Sequence, residues 1–340
     1  MQVSKVGHRG AVQGGLALLL AVVLGSATVL AVNGLREAVV PLGDDGLLPD
    51  LVVAPAIEFL QGVPIKQFVF FFGLTAVLAV VLPAARKDRF LSKSLAQDFT
   101  WFTYEHLFVV VIMATYASWL KGAFDSHWGH LTTDALQTWP IWAKLAFGLV
   151  LADFMHWAQH FLMHKVPVLW EFHKVHHSQR EINFFTNHRV HFLDHLLFHL
   201  IAILPFLFLS FEIPQIYLIM VFLRWHPLLI HANIRTNLGP FKYVLVTPQS
   251  HRVHHSFAPE HHDMNYGCVL SVWDHLFGTQ VRDYDVYPET GLHAPFPNEQ
   301  DYRWWAVPFL PVLQTIYPFR EIAADMAASK KPLGTEPKRP

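Results

Sequence analysis

The chain has 340 residues, 53% apolar and 15% charged, with a formal net charge of −1. Typical soluble domains carry about 25% charged residues, so the composition argues for a membrane protein, and the lack of a basic field excludes electrostatic binding of nucleic acid. A single cysteine, Cys268, excludes an internal disulfide and a thiolate-held iron–sulfur cluster.

The predicted elements are long apolar runs. Residues 11–32 follow Lys5 and Arg9 and read as a span rather than a cleaved leader, because further runs follow. These are residues 67–82, 106–120, 140–163, 193–211 and 213–232. The last two meet at Glu212-Ile213-Pro214, a tight helical hairpin. Most of the runs are too long for soluble strands, so they read as helices, giving about six spans. With the N-terminus in the cytoplasm, every loop obeys the positive-inside rule. The cytoplasmic stretches hold Arg86, Lys87, Arg89 and Lys93, then Lys165, Lys174, Arg180 and Arg189, then Arg235, Lys242 and Arg252.

Histidine is abundant: 23 residues against 25 Lys plus Arg. Three clusters share one form. His160 and His164 make an HxxxH, His173, His176 and His177 make an HxxHH, and His251, His254 and His255 make a second HxxHH. Residues three and four apart share a helix face, so each cluster is expected to turn its rings to one side. One such cluster reads as interfacial histidines. Three on the same predicted side of the membrane read as a metal site, since packed imidazoles otherwise leave buried nitrogens in need of partners. Eight rings exceed the three or four ligands of one zinc, so two ions fit better. His231, at the end of the returning hairpin run, is a ninth candidate.

Other residues take supporting readings. Asp153, seven residues before His160 on the same helix face, and Asp263 and Asn265 after the last cluster are expected to orient the rings. His191 reads as a tenth ligand or as a base beside the rings. His156 is expected to pack or to line a substrate channel. His127, His130, His195, His199, His226, His261 and His262 read as loop or core residues.

The pattern resembles the fatty acid hydroxylase superfamily, which includes the sterol desaturases. The resemblance rests on Asp153, His160-x3-His164, Leu169-Trp170-Glu171-Phe172-His173-Lys174-Val175-His176-His177-Ser178, His231-Ala232-Asn233, Thr247-Pro248 and His251-Arg252-Val253-His254-His255-Ser256. It closes with Asp263-Met264-Asn265-Tyr266-Gly267 and the stretch from Leu270 to Thr279. It departs from the pattern at Phe161, where the family often has Arg, and at Phe192, where it often has Pro; both bear on the subfamily and substrate.

The resemblance implies a membrane di-iron oxygenase that uses O2 to hydroxylate or desaturate a lipid (fatty acyl, sterol or alkyl) at an unactivated C–H bond, with two iron ions on an all-histidine set. The expected fold is all-α: a polytopic transmembrane helical bundle with a cytoplasmic helical cap that carries the dimetal site. Residues 1–100 would supply N-terminal spans and a loop, residues 101–280 the catalytic domain, and residues 281–340 a cytoplasmic segment with a disordered tail. No dinucleotide-binding motif is visible, so a separate reductase, ferredoxin or cytochrome must donate electrons. Competing readings are a membrane zinc hydrolase, and a non-enzymatic metal transporter or haem-binding protein. Transporters hold their sites near the bilayer midplane, whereas these clusters fall at or beyond helix ends.

Overall fold

The computed structural model describes residues 65–85, 92–293 and 295–329. The predicted span at residues 11–32, the loop that follows it, Arg86, Lys87 and Arg89, and the polar tail from residue 330 lie outside the described residues. The described chain is all-helical: α1 (Ile65–Val81), α2 (Lys93–Tyr104), α3 (Val110–His127), α4 (Ile141–Lys165), α5 (Pro167–His177), α6 (Phe192–Phe208), α7 (Ile213–Leu223), α8 (Trp225–Ile230), α9 (Pro248–His254), α10 (Val272–Phe277) and α11 (Leu310–Ser329). A π-helical turn, Glu105–Val109, joins α2 to α3. Extended structure among these residues is limited to three isolated bridges.

Local chemistry sets the breaks that bring the histidines together. Proline disfavours helical geometry in the residue before it and suits the first helical position itself. Val166 accordingly turns extended (φ −97°, ψ 113°), and α5 restarts at Pro167. This break folds the HxxxH of α4 back against the first HxxHH. The second HxxHH is launched in the same way. Thr247 caps α9 in a reciprocal capping box with Ser250, and Pro248 follows at the first helical position. The returning hairpin run is two helices rather than one, divided at Arg224, and His231 caps the C-terminal end of the second.

Helix α4 lies at the centre, packed on α5, α6 and α7. One apolar core gathers Phe124, Ala152, Phe206, Phe211, Ile219 and Leu223; a second gathers Leu95, Phe102, Phe184, Phe185, Leu228 and Ile234. Gly148 permits the close approach of α4 to α7, since a Cβ there would stand 2.4 Å from Ile219 Cδ1. Among the described residues, α4 is the one helix long and apolar enough to cross a membrane, and α6 and the segment Leu218–Ile230 are shorter apolar helices. Trp119, Ile141, Trp142, Val150 and Leu218 expose apolar side chains on α3, α4 and α7.

Beside the histidine-bearing helices sits a wholly buried ion triad. Arg189 donates from Nη1 to Asp98 Oδ1 (3.0 Å) and from Nη2 to Glu299 Oε2 (3.1 Å). Asp98 also accepts from Gln179, Asn183 and Thr186. The triad pins the segment after α5 to α2 and to the C-terminal region. Removing one member strands two buried charges, so Arg189→Ala is expected to destabilise the chain by about 3–5 kcal/mol. Thermal unfolding in detergent tests this; an unchanged midpoint would refute it.

Candidate metal centre

All nine predicted ligand rings converge, and they divide into two groups. His160, His164, His173, His177 and His254 form one; His176, His231, His251 and His255 form the other. Within each group the donor atoms lie within 4.8 Å of one another. The expectation that each HxxHH turns three rings to one side is corrected here. Each motif sends its i and i+4 rings to one group and its i+3 ring to the other, in opposite senses for α5 and α9. Consecutive helical residues diverge by about 100°, so each motif straddles both groups. The groups touch where His177 stacks on His255, with ring centroids 4.4 Å apart.

Backbone carbonyls and one carboxylate orient the rings. His160 Nδ1–H donates to the Tyr266 carbonyl (2.7 Å), His254 Nδ1–H to that of Met264 (2.8 Å) and His231 Nδ1–H to that of Pro227 (2.8 Å). His173 Nδ1–H donates to Asp194 Oδ2 (2.7 Å), and Gln159 Nε2 donates to Asp194 Oδ1 (2.9 Å). Each of these bonds fixes the tautomer and leaves Nε2 as a lone-pair donor aimed inward. Three of those nitrogens, on His160, His173 and His254, are buried without a partner.

The second group makes the same point by crowding. His231 Nε2 lies 3.0 Å from His176 Nε2 and 2.9 Å from His251 Nε2, and His251 Nε2 lies 3.2 Å from His255 Nε2. The single in-plane lone pair of His231 Nε2 accepts one hydrogen bond, not two. A cation satisfies all four: with metal–nitrogen bonds of about 2.1 Å, ligands at right angles stand about 3 Å apart. The donor set fits two transition-metal ions.

The remaining predicted residues act one step away or elsewhere. Asp153 bonds none of the nine imidazoles; it accepts from Val269 N, Leu270 N and Trp273 Nε1 (3.0, 3.1 and 2.8 Å) and ties α4 to the start of α10 and the loop before it. Asn265, at φ 58°, links Ser250 O to Val281 N. Asp263 Oδ1 stands 3.7 Å from His164 Nδ1, and its Oδ2 takes Lys165 Nζ at 2.6 Å. His191 belongs to neither group. Its Nδ1 caps α6 by accepting from Leu193 N, and its Nε2–H donates to the Thr315 carbonyl, so both ring nitrogens are used. His156 packs on Phe198, and His226 is satisfied by the Val246 carbonyl.

Sequence reasoning missed two carboxylates. Asp194 carried a signal, being an ionisable group inside an apolar run. Asp274 accepts from Tyr266 N, Gly267 N, Thr279 Oγ1 and Trp157 Nε1. It thereby holds the loop whose Tyr266 carbonyl orients His160. Nothing in its spacing from the clusters marks that role.

Burial holds the rings neutral. It pushes His176, His177, His251, His254 and His255 well below the ordinary imidazole range. The unfolded chain takes up these protons near pH 6.5 and the folded chain does not. The unfolded state therefore binds more protons below that pH, and stability falls as pH falls, by about 1.4 kcal/mol per unit for each ring concerned. The metal-free chain is expected to melt at a lower temperature at pH 5.5 than at pH 7.5. A midpoint that rises on acidification contradicts this account.

Comparison with known proteins supplies independent findings. Residues 145–279 match the family model for fatty acid hydroxylase. The chain is 34% identical over 141 residues to ornithine lipid hydroxylase OlsE of Rhizobium tropici, covering 42% of this chain and 43% of that protein. It is 34% identical over 133 residues to alkylglycerol monooxygenase of Xenopus tropicalis (38% and 29%) and 32% identical over 192 residues to that of Danio rerio (54% and 39%). The chain thus spans less than half the length of these curated relatives. No solved structure matches it.

Proposed function

Because the chain belongs to the fatty acid hydroxylase superfamily, we propose that it is a multi-pass membrane oxygenase whose nine rings hold two iron ions and which uses O2 to hydroxylate a lipid. The observation that carries this reading is the division of nine imidazoles inside the fold into groups of five and four, with the Nε2 atoms of His160, His173 and His254 buried and partnerless. Iron bound there would supply the one-electron and O2 chemistry that an unactivated C–H bond requires. The chain's own part is to present neutral nitrogen donors, to keep each ring in one tautomer, and to surround the centre with packed aromatic side chains such as Trp157, Phe161 and Tyr266. The relatives, an ornithine lipid hydroxylase and alkylglycerol monooxygenases, favour hydroxylation over desaturation and point to ornithine lipids and alkylglycerols as the first substrates to try.

The site side is assigned to the cytoplasm. Among the cations behind that assignment, Arg189 is buried in its triad and Lys174 pairs with Glu171 inside the fold. Arg252 is buried as well, so among the described residues Lys93, Lys165, Arg180, Arg235 and Lys242 carry the positive-inside pattern. Electrons come from a separate donor protein.

The chain purified from iron-supplemented cells is expected to hold at least two irons, two of them on the nine rings. With a reductant it should consume O2 and place one 18O atom from 18O2 into the lipid product, read by mass spectrometry. Zinc as the sole metal, with no O2 uptake after loading with ferrous iron, would overturn the proposal in favour of a hydrolase.

A further inference from the structure

A carboxylate and two further imidazoles meet outside the nine-ring centre. Glu105, His106 and His188 each bring a donor atom within 4.8 Å of the others. Glu105 and His106 open the π-helical turn Glu105–Val109, and His188 ends the 3-10 turn Thr186–His188. A π turn is a rare interruption of an α-helix and is frequently found at functional sites.

The atoms are arranged to receive something. Glu105 Oε1 takes Arg224 Nη2 at 2.9 Å, so the carboxylate turns Oε2 to the cluster, where it meets His188 Nδ1 at 2.5 Å. His188 is 1% exposed, and its Nε2 is buried with no hydrogen-bond partner. His106 Nδ1–H donates to the Phe102 carbonyl (2.8 Å), which leaves the lone pair on its Nε2. The Phe102 ring packs on both imidazoles, at 4.2 and 4.9 Å, and shields them from water on that side. A plain ion pair of Glu105 with Arg224 explains neither the partnerless His188 nitrogen nor the gathering of a second imidazole.

We propose that Glu105, His106 and His188 form a third metal site, distinct from the nine-ring centre, that takes one divalent first-row transition ion. Two imidazoles and one carboxylate are a donor set shared by catalytic zinc and non-haem ferrous sites. Three protein ligands leave positions open for water or a substrate group. His188 would give the ion its partnerless Nε2 and keep its Nδ1–H on Glu105, and Arg224 stays on the outer carboxylate oxygen.

The test is a metal count on the full-length chain in detergent, stripped with a chelator, reloaded with zinc alone and desalted. The wild type is expected to hold three zinc ions. His106→Ala, and separately the double variant Glu105→Gln with His188→Gln, should each hold two. His106 is partly exposed and its hydrogen bond runs to Phe102, so its replacement spares the Glu105 contacts should the double variant fold poorly. A wild-type count of two that neither variant changes overturns the third site. A wild-type count of one that His106→Ala abolishes upholds it while removing the nine-ring reading.

Discussion

Replacing His176 or His254 with alanine is expected to lower lipid oxidation by at least about 100-fold, because loss of a mere outer partner of a metal ligand already costs 10–100-fold. The two rings probe different groups. His176 is one of four, and its removal leaves His231, His251 and His255 to hold an ion. His254 is one of five, packed on His160, His164 and His177 at centroid distances of 4.5, 4.8 and 4.7 Å. The metal held by the nine-ring centre should therefore fall towards one ion in His176→Ala, while His254→Ala should retain metal better yet lose turnover. Metal analysis beside O2 uptake separates these effects, with circular dichroism as a control for folding. A wild-type metal count and normal turnover in both variants would remove these rings from the site.

The second large effect is expected at Asp194. Its carboxylate binds His173 Nδ1–H and Gln159 Nε2 inside the protein, and His173 belongs to the five-ring group. Asp194→Ala leaves two buried donors unsatisfied, at a cost of about 1–3 kcal/mol each. It also frees His173 to rotate or change tautomer. Metal affinity, measured by chelator competition, should weaken by about 10–100-fold, with Asp194→Glu recovering part of the loss. A purely structural Asp194 would lower the melting temperature and leave the affinity untouched.

The sequence by itself determined what depends on neighbours along the chain. The HxxxH and HxxHH spacings mark the rings that converge because helical periodicity is local. Pro167 and the Thr247-Pro248 cap start the short helices that carry them, and these too are nearest-neighbour effects. The apolar runs were legible as helices for the same reason, although the break at Arg224 in the returning run was not. Only the tertiary structure decided which ring joins which group, because that depends on how α4, α5 and α9 pack. It assigned Asp194 to His173 across 21 residues and the Tyr266 carbonyl to His160 across 106, pairings without a local signal. It also moved Asp153 away from the rings. Seven residues are two helical turns, about 10.5 Å along the axis, so a shared face did not mean contact. The Glu105, His106 and His188 cluster was hidden for the same physical reason: it is assembled from a helix irregularity and a distant turn, and neither follows from a repeat in the sequence.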